Sequence, residues 1–115
     1  MKPKIGSMTP WGVAQQVDEP TPGLVFVSTA SHGGVWLDDG RLAHMRPALR
    51  APSRFYPLDM GPAWFEEDCE ILRVVVAYPE AFKTPYAVAV EMLCKMNVAV
   101  RDALTAEALA HSEAR

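Results

Sequence analysis

The chain has 115 residues, 50% of them hydrophobic and 22% charged, and a net charge of −3. That is apolar material for one core in a chain too short for two, so a single domain over residues 1–115 is expected. The mild acidity argues against capture of nucleic acid or an anionic membrane by the whole surface and leaves only a local basic patch for such a role.

The basic start Met1-Lys2-Pro3-Lys4 is followed by no apolar segment of signal-peptide length, and no run reaches the length of a membrane span. Cys69 and Cys94 sit in apolar patterns without metal-finger spacing and read as reduced core thiols. Both features lead to the expectation of a cytoplasmic protein. Gly6-Ser7-Met8 reads as a cloning scar ahead of a start at Met8, so residues 1–8 are expected to be a flexible tail.

In chain order, Thr9 to Gly12 is turn-like, Val13 to Val17 is extended, and Asp18 to Gly23 is dense in turn formers. Leu24 to Thr29 and Gly34 to Leu37 are rich in β-branched and aromatic residues and predict a hairpin connected by Ala30 to Gly33. With the first strand added to its edge, the hairpin becomes a three-stranded antiparallel sheet. Asp38-Asp39 is an N-cap candidate for a short helix that Pro47 limits, and residues 50–63, with three prolines and a glycine, predict a long loop.

From Ala63 to Tyr78, Phe65, Cys69, Leu72 and Val76 follow helical spacing up to Pro79. Thr84 as N-cap and Pro85 at N1 then open a long C-terminal helix carrying Val90, Leu93, Met96, Val100 and Leu104. The fold class expected is α+β, a small three-stranded antiparallel sheet packed against two main helices.

Four features carry chemistry. In Ser31-His32-Gly33-Gly34, paired glycines beside an imidazole would let a backbone approach a ligand, with His32 as hydrogen-bonding group or general base. Plain hairpin chemistry, with glycines at positive φ, explains the same residues. In Trp64-Phe65-Glu66-Glu67-Asp68-Cys69-Glu70, the carboxylates suit the positive end of a helix, at about 0.3–1 kcal/mol each. Crowded acids also bind cations or pair with arginines.

Arg41, Arg46, Arg50 and Arg54 form a stripe without an intervening acid. Its simplest account is pairing with Glu66 to Glu70 inside the fold, and its alternative is a clamp for phosphate or carboxylate groups. Trp11, Trp36 and Trp64 each adjoin a glycine-containing turn and suggest packing around one surface near His32.

Thr9-Pro10-Trp11-Gly12, the run Val27 to Gly34, and Trp64 to Glu70 with the apolar helix after it occur in that order. Together they resemble an uncharacterised family of small domains found in phages and proteobacterial mobile elements, over residues 9–82. Asp38-Asp39-Gly40-Arg41 departs from the serine-proline-glutamate-arginine helix start of such proteins, so no role is carried over for the short helix. The resemblance implies an accessory protein of a phage, prophage or plasmid, a class in which inhibitors of host defences are common.

The leading expectation is therefore a non-catalytic binding or inhibitory protein, anti-CRISPR-like in its most specific form, that engages a host protein or small ligand and needs no cofactor and no metal. Ser31, His32, Gly33, Gly34, Trp11, Trp64, Arg46, Arg50 and Arg54 are its candidate contacts. One alternative is a small hydrolase or metal-assisted enzyme using His32 with Glu66, Glu67 or Asp68, which requires the hairpin bend to meet the segment that starts at Trp64. Another is a nucleotide or nucleic-acid binder using the arginine stripe.

Overall fold

The computed structural model describes residues 2–50, 63–68 and 70–113. The class is α+β, but the main sheet has four antiparallel strands in the order β3-β4-β5-β6, beside a separate two-stranded ribbon. The ribbon is β1 (Met8–Thr9) paired with β2 (Gly12–Val13), and the sheet strands are β3 (Gln16–Thr21), β4 (Leu24–Ser28), β5 (Gly33–Leu37) and β6 (Trp64–Glu66). The fourth strand is a correction: Trp64, Phe65 and Glu66, expected in the first turn of a helix, pair instead with Trp36, Val35 and Gly34.

β3 also runs further than its turn formers suggested, through Pro20 to Thr21. It is an edge strand, so a proline without an N–H costs it no ladder bond on the open side. Pro22-Gly23 then makes a two-residue turn, with Thr21 opposite Leu24 and Gly23 at φ +84°. A Cβ on Gly23 would also collide with the Asp38 carboxylate. That carboxylate caps α1 (Asp39–Ala43) by accepting the Arg41 N–H at 2.7 Å.

Strand alternation divides the core. Leu24, Val35, Leu37 and Phe65 face the helices, packing with Met45, Leu49, Val74, Ala89 and Leu93. Val25, Val27 and Trp36 face the opposite way and are covered by Ala14, with Trp64 packed beside them. β5 is buried along its whole length because both of its faces are covered.

α2 (Ile71–Ala77) is shorter than its predicted span, and every residue from Leu72 to Val76 is buried. It stops before Pro79, which opens one 3₁₀ turn, Pro79–Phe82. The predicted C-terminal helix is two helices, α3 (Tyr86–Met96) and α4 (Val98–Glu113). Pro85, rather than Thr84, holds the N-cap position of α3. Asn97 breaks the run with extended dihedrals, φ −142° and ψ 93°, and its Oδ1 accepts the Val100 N–H at 3.0 Å to start the next helix. The bend returns Val100 to the core and leaves Met96 59% exposed, so Met96 is not the core residue its spacing suggested.

Residues 2–7 are engaged with the fold rather than trailing from it. Gly6 N–H donates to Ala14 O and Ala14 N–H to Ser7 O, both at 2.8 Å, and Pro3 is buried. Glu19 accepts the Gly23 N–H and pairs with Lys2, each at 2.9 Å. Cys94 is a half-buried free thiol, while Cys69 and nearly all of the expected 50–63 loop lie outside the described residues.

Leu93→Ala, which empties a fully buried site on α3, is expected to cost about 2–5 kcal/mol in urea denaturation; a loss below about 1 kcal/mol would show that α3 is not part of the core. The Gly23 amide, and after it Lys2, hold the Glu19 carboxyl below its ordinary pKa. Its contribution is therefore present above the ordinary glutamate range and lost as pH falls through the lowered folded value. Glu19→Gln should flatten the acid limb of the stability–pH curve, and an unchanged limb would show that the two contacts do not persist in solution.

Candidate functional site

β4 ends at Ser28 and β5 begins at its partner Gly33, leaving the loop Thr29–His32. Thr29 organises it: its backbone N–H donates to His32 O at 2.8 Å, and its hydroxyl lies 2.7 Å from the same carbonyl and 3.2 Å from Trp11 O. Ser31 Oγ reaches Trp11 O at 3.3 Å. The loop is thereby tied to the N-terminal ribbon, while the Ser31 and His32 side chains stay in solvent.

The paired glycines are not turn residues. The positive-φ glycines among the described residues are Gly6, Gly12 and Gly23, so Gly33 and Gly34 do not supply the left-handed backbone expected of a hairpin bend. They are needed for close approach. A Cβ on Gly34 would collide with Phe65 O of the neighbouring strand and stand 2.5 Å from Trp11 Cη2. A Cβ on Gly33 would lie 2.7 Å from Val27 O and 3.2 Å from Glu67 Oε2. Trp11 in turn meets Trp64 edge-to-face at 5.7 Å.

The run of acids divides into two kinds. Glu66 lies opposite Gly34, buried, and accepts the Asp68 N–H at 2.7 Å. Glu70 is also buried and forms an ion pair with Arg73, whose guanidinium lies 5.5 Å from the Phe65 ring and donates to Leu49 O. Burial lowers the Arg73 pKa from its ordinary value, yet an arginine remains protonated and the pair remains ionic. Glu67 and Asp68 are exposed. Glu70 holds the N-cap position of α2 without a side-chain cap bond and no acid lies in the turn that follows, so of these acids Glu70 stands at the positive end of the helix.

Glu67 N–H donates to Gly33 O at 3.0 Å, extending the β5–β6 ladder by one bond. This brings Glu67 and Asp68 beside His32, with a ligating atom of each within 4.8 Å of the others. The hairpin loop thus meets the segment that begins at Trp64, while Glu66 is turned into the fold.

The arginines lie elsewhere. Arg41 donates to Pro22 O and Thr21 Oγ1, both at 2.8 Å, and stacks 4.9 Å over the Tyr78 ring. Arg46 is 3.8 Å from Glu107 on α4. Arg41 and Arg46 thus take partners other than the expected Glu66 to Glu70, and Glu70 pairs with Arg73 of α2. Arg50 is exposed, and Arg54 lies outside the described residues. Two cavities of about 400 and 410 Å³ flank the Arg41–Tyr78 pair, at the end of β5 opposite His32. Burial raises the Tyr78 pKa there, and its hydroxyl donates to Arg41 O.

Two organising residues were missed in the sequence. Arg73 was readable as the i+3 partner of Glu70, and Thr29 as a hydroxyl able to bond the carbonyl three residues on.

A family model described as a domain of unknown function, DUF7007, matches residues 4–115. The chain belongs to the DUF7007 family. The DUF7007 match begins upstream of Met8 and so includes part of the segment packed against Ala14. No curated protein and no solved structure matches the chain. Among the described residues, no helix of this DUF7007 domain is long and apolar enough to cross a membrane.

Gly34→Ala is expected to destabilise the domain at or beyond the top of the range of about 1–3 kcal/mol for overpacking, because a backbone carbonyl blocks one side of the new methyl. Gly40→Ala, whose Cβ meets only Asp38 Oδ1 at 3.5 Å, should be neutral or mildly stabilising. Equal stabilities in thermal melts would refute the close approach at Gly34.

Proposed function

We propose that this DUF7007 domain is a non-catalytic binding protein encoded by a phage or other mobile element, acting in the host cytoplasm on a host protein, with counter-defence as its most specific form. Its recognition surface is the sheet end built from Thr29–His32 and Glu67–Asp68. The observation that carries this reading is the convergence of exposed His32, Glu67 and Asp68 on a base of buried groups: Gly33, Gly34, Glu66 and Trp11. Polar, exposed side chains held on a rigid scaffold are the usual composition of a binding site. The sequence motifs around these residues supply the mobile-element context.

A second reading, metal-assisted hydrolysis, uses the same three side chains and is favoured by their spacing of 4.8 Å or less. It ranks below binding because all three are exposed, whereas catalytic groups gain most from sites that exclude water. The nucleic-acid reading loses Arg41 and Arg46 to intramolecular contacts.

Affinity purification of the tagged protein from a proteobacterial host should return a stoichiometric host protein. That protein should be lost from the folded double variant His32→Ala/Glu67→Ala and kept by Lys95→Ala, on α3. Retention by the double variant would move the recognition surface elsewhere. Absence of any stoichiometric partner would sink the binding reading.

A further inference from the structure

We propose that His32, Glu67 and Asp68 form a site for one first-row divalent metal ion of the Zn²⁺ class. The inference deepens the binding reading and rests on the same surface, with the cation as a component of recognition. One imidazole nitrogen and one oxygen from each carboxylate already lie within 4.8 Å of one another. Bonds of about 2.0–2.2 Å place the ligands of a tetrahedral ion about 3.4 Å apart, so roughly 1.4 Å of closure is the most required. All three side chains are exposed and have the rotamer freedom to supply it.

Their backbones are already held. The His32 carbonyl is bonded by the Thr29 amide, Glu67 is tied to the residue after His32 through Gly33 O, and the Asp68 amide is bound by buried Glu66. Gly33 also keeps open the space beside Glu67 Oε2, which a Cβ would approach to 3.2 Å. A larger residue there would force the Glu67 carboxylate to shift.

The donor set indicates the metal. Two carboxylates balance a double positive charge, and carboxylates alone would suit Mg²⁺ or Ca²⁺, but an imidazole shifts preference toward Zn²⁺ and its neighbours. Three protein ligands leave a coordination position open for water or a side chain of a partner. A partner supplying the fourth ligand would bind only the metal-loaded surface, giving the cation a direct part in recognition.

The test is calorimetric titration of ZnCl₂, and separately MgCl₂, into tag-free protein whose fold is checked by circular dichroism. Wild type should take up one equivalent of Zn²⁺ and bind Mg²⁺ far more weakly. His32→Ala and Glu67→Gln should each weaken Zn²⁺ binding by about ten-fold or more, while His44→Ala, near the opposite end of β5, should match wild type. No saturable Zn²⁺ uptake by wild type, or wild-type affinity in folded His32→Ala, overturns the metal site whatever the affinity purification gives. Zn²⁺ uptake lost in His32→Ala with no co-purifying partner supports the metal site and overturns only the partner reading.

Discussion

The bare backbone at Gly34 is the constraint on which the rest of the structure depends. Trp11 lies against it from one side, and the β6 carbonyl of Phe65 approaches from another, so a side chain there would meet both. Three segments far apart in sequence therefore lock at one residue: the N-terminal ribbon, the central strand and the edge strand. The sheet becomes two-faced as a result, with the helices on Leu24, Val35, Leu37 and Phe65 and the ribbon with Ala14 covering the Val25, Val27 and Trp36 side. The loop Thr29–His32 takes its position from the same lock, because Thr29 and Ser31 both reach the carbonyl of Trp11.

Close packing at the glycines has an electrostatic counterpart in the acids after β6. Neighbouring residues have opposite fates because strand alternation and the following turn point them in different directions. Glu66 and Glu70 are taken inside, where Glu66 accepts a backbone amide and Glu70 forms an ion pair with Arg73. A buried ion pair is retained at considerable desolvation cost, and losing one member leaves an uncompensated charge, typically about 3–5 kcal/mol. Glu67 and Asp68 are left outside beside His32. The buried acids hold the turn in shape, and the exposed ones present chemistry to solvent.

The cationic residues have been distributed by the same economy of local partners. Arg41 closes the β3–β4 turn and stacks on Tyr78, and Arg46 meets α4 through Glu107, whose carboxylate also accepts the Ala48 N–H at 2.7 Å. The first two arginines of a stripe that looks continuous in sequence are therefore engaged in separate packing contacts. Among the described residues, exposed His32, Glu67 and Asp68 converge at one end of the sheet.

Signals that act within a few residues were legible in the sequence. The hairpin Leu24–Leu37, the Asp38 cap, the stop before Pro79 and the α+β class all follow from side-chain chemistry that the local backbone must satisfy. Trp64 to Glu66 became a strand because β5 offered an open hydrogen-bonding edge that the helical spacing of Phe65, Cys69, Leu72 and Val76 could not register. The break at Asn97 had a local signal, an N-cap residue inside an apolar pattern, and was masked by helical spacing that continued across it. By itself the sequence determined the strand–loop–strand run containing His32 and the residue types available for a site. Only the tertiary structure decided that Glu67 and Asp68, rather than Glu66 or Glu70, stand beside that histidine, since the choice depends on the register of β6 against Gly34 and a shift of one residue would have turned the other carboxylates outward.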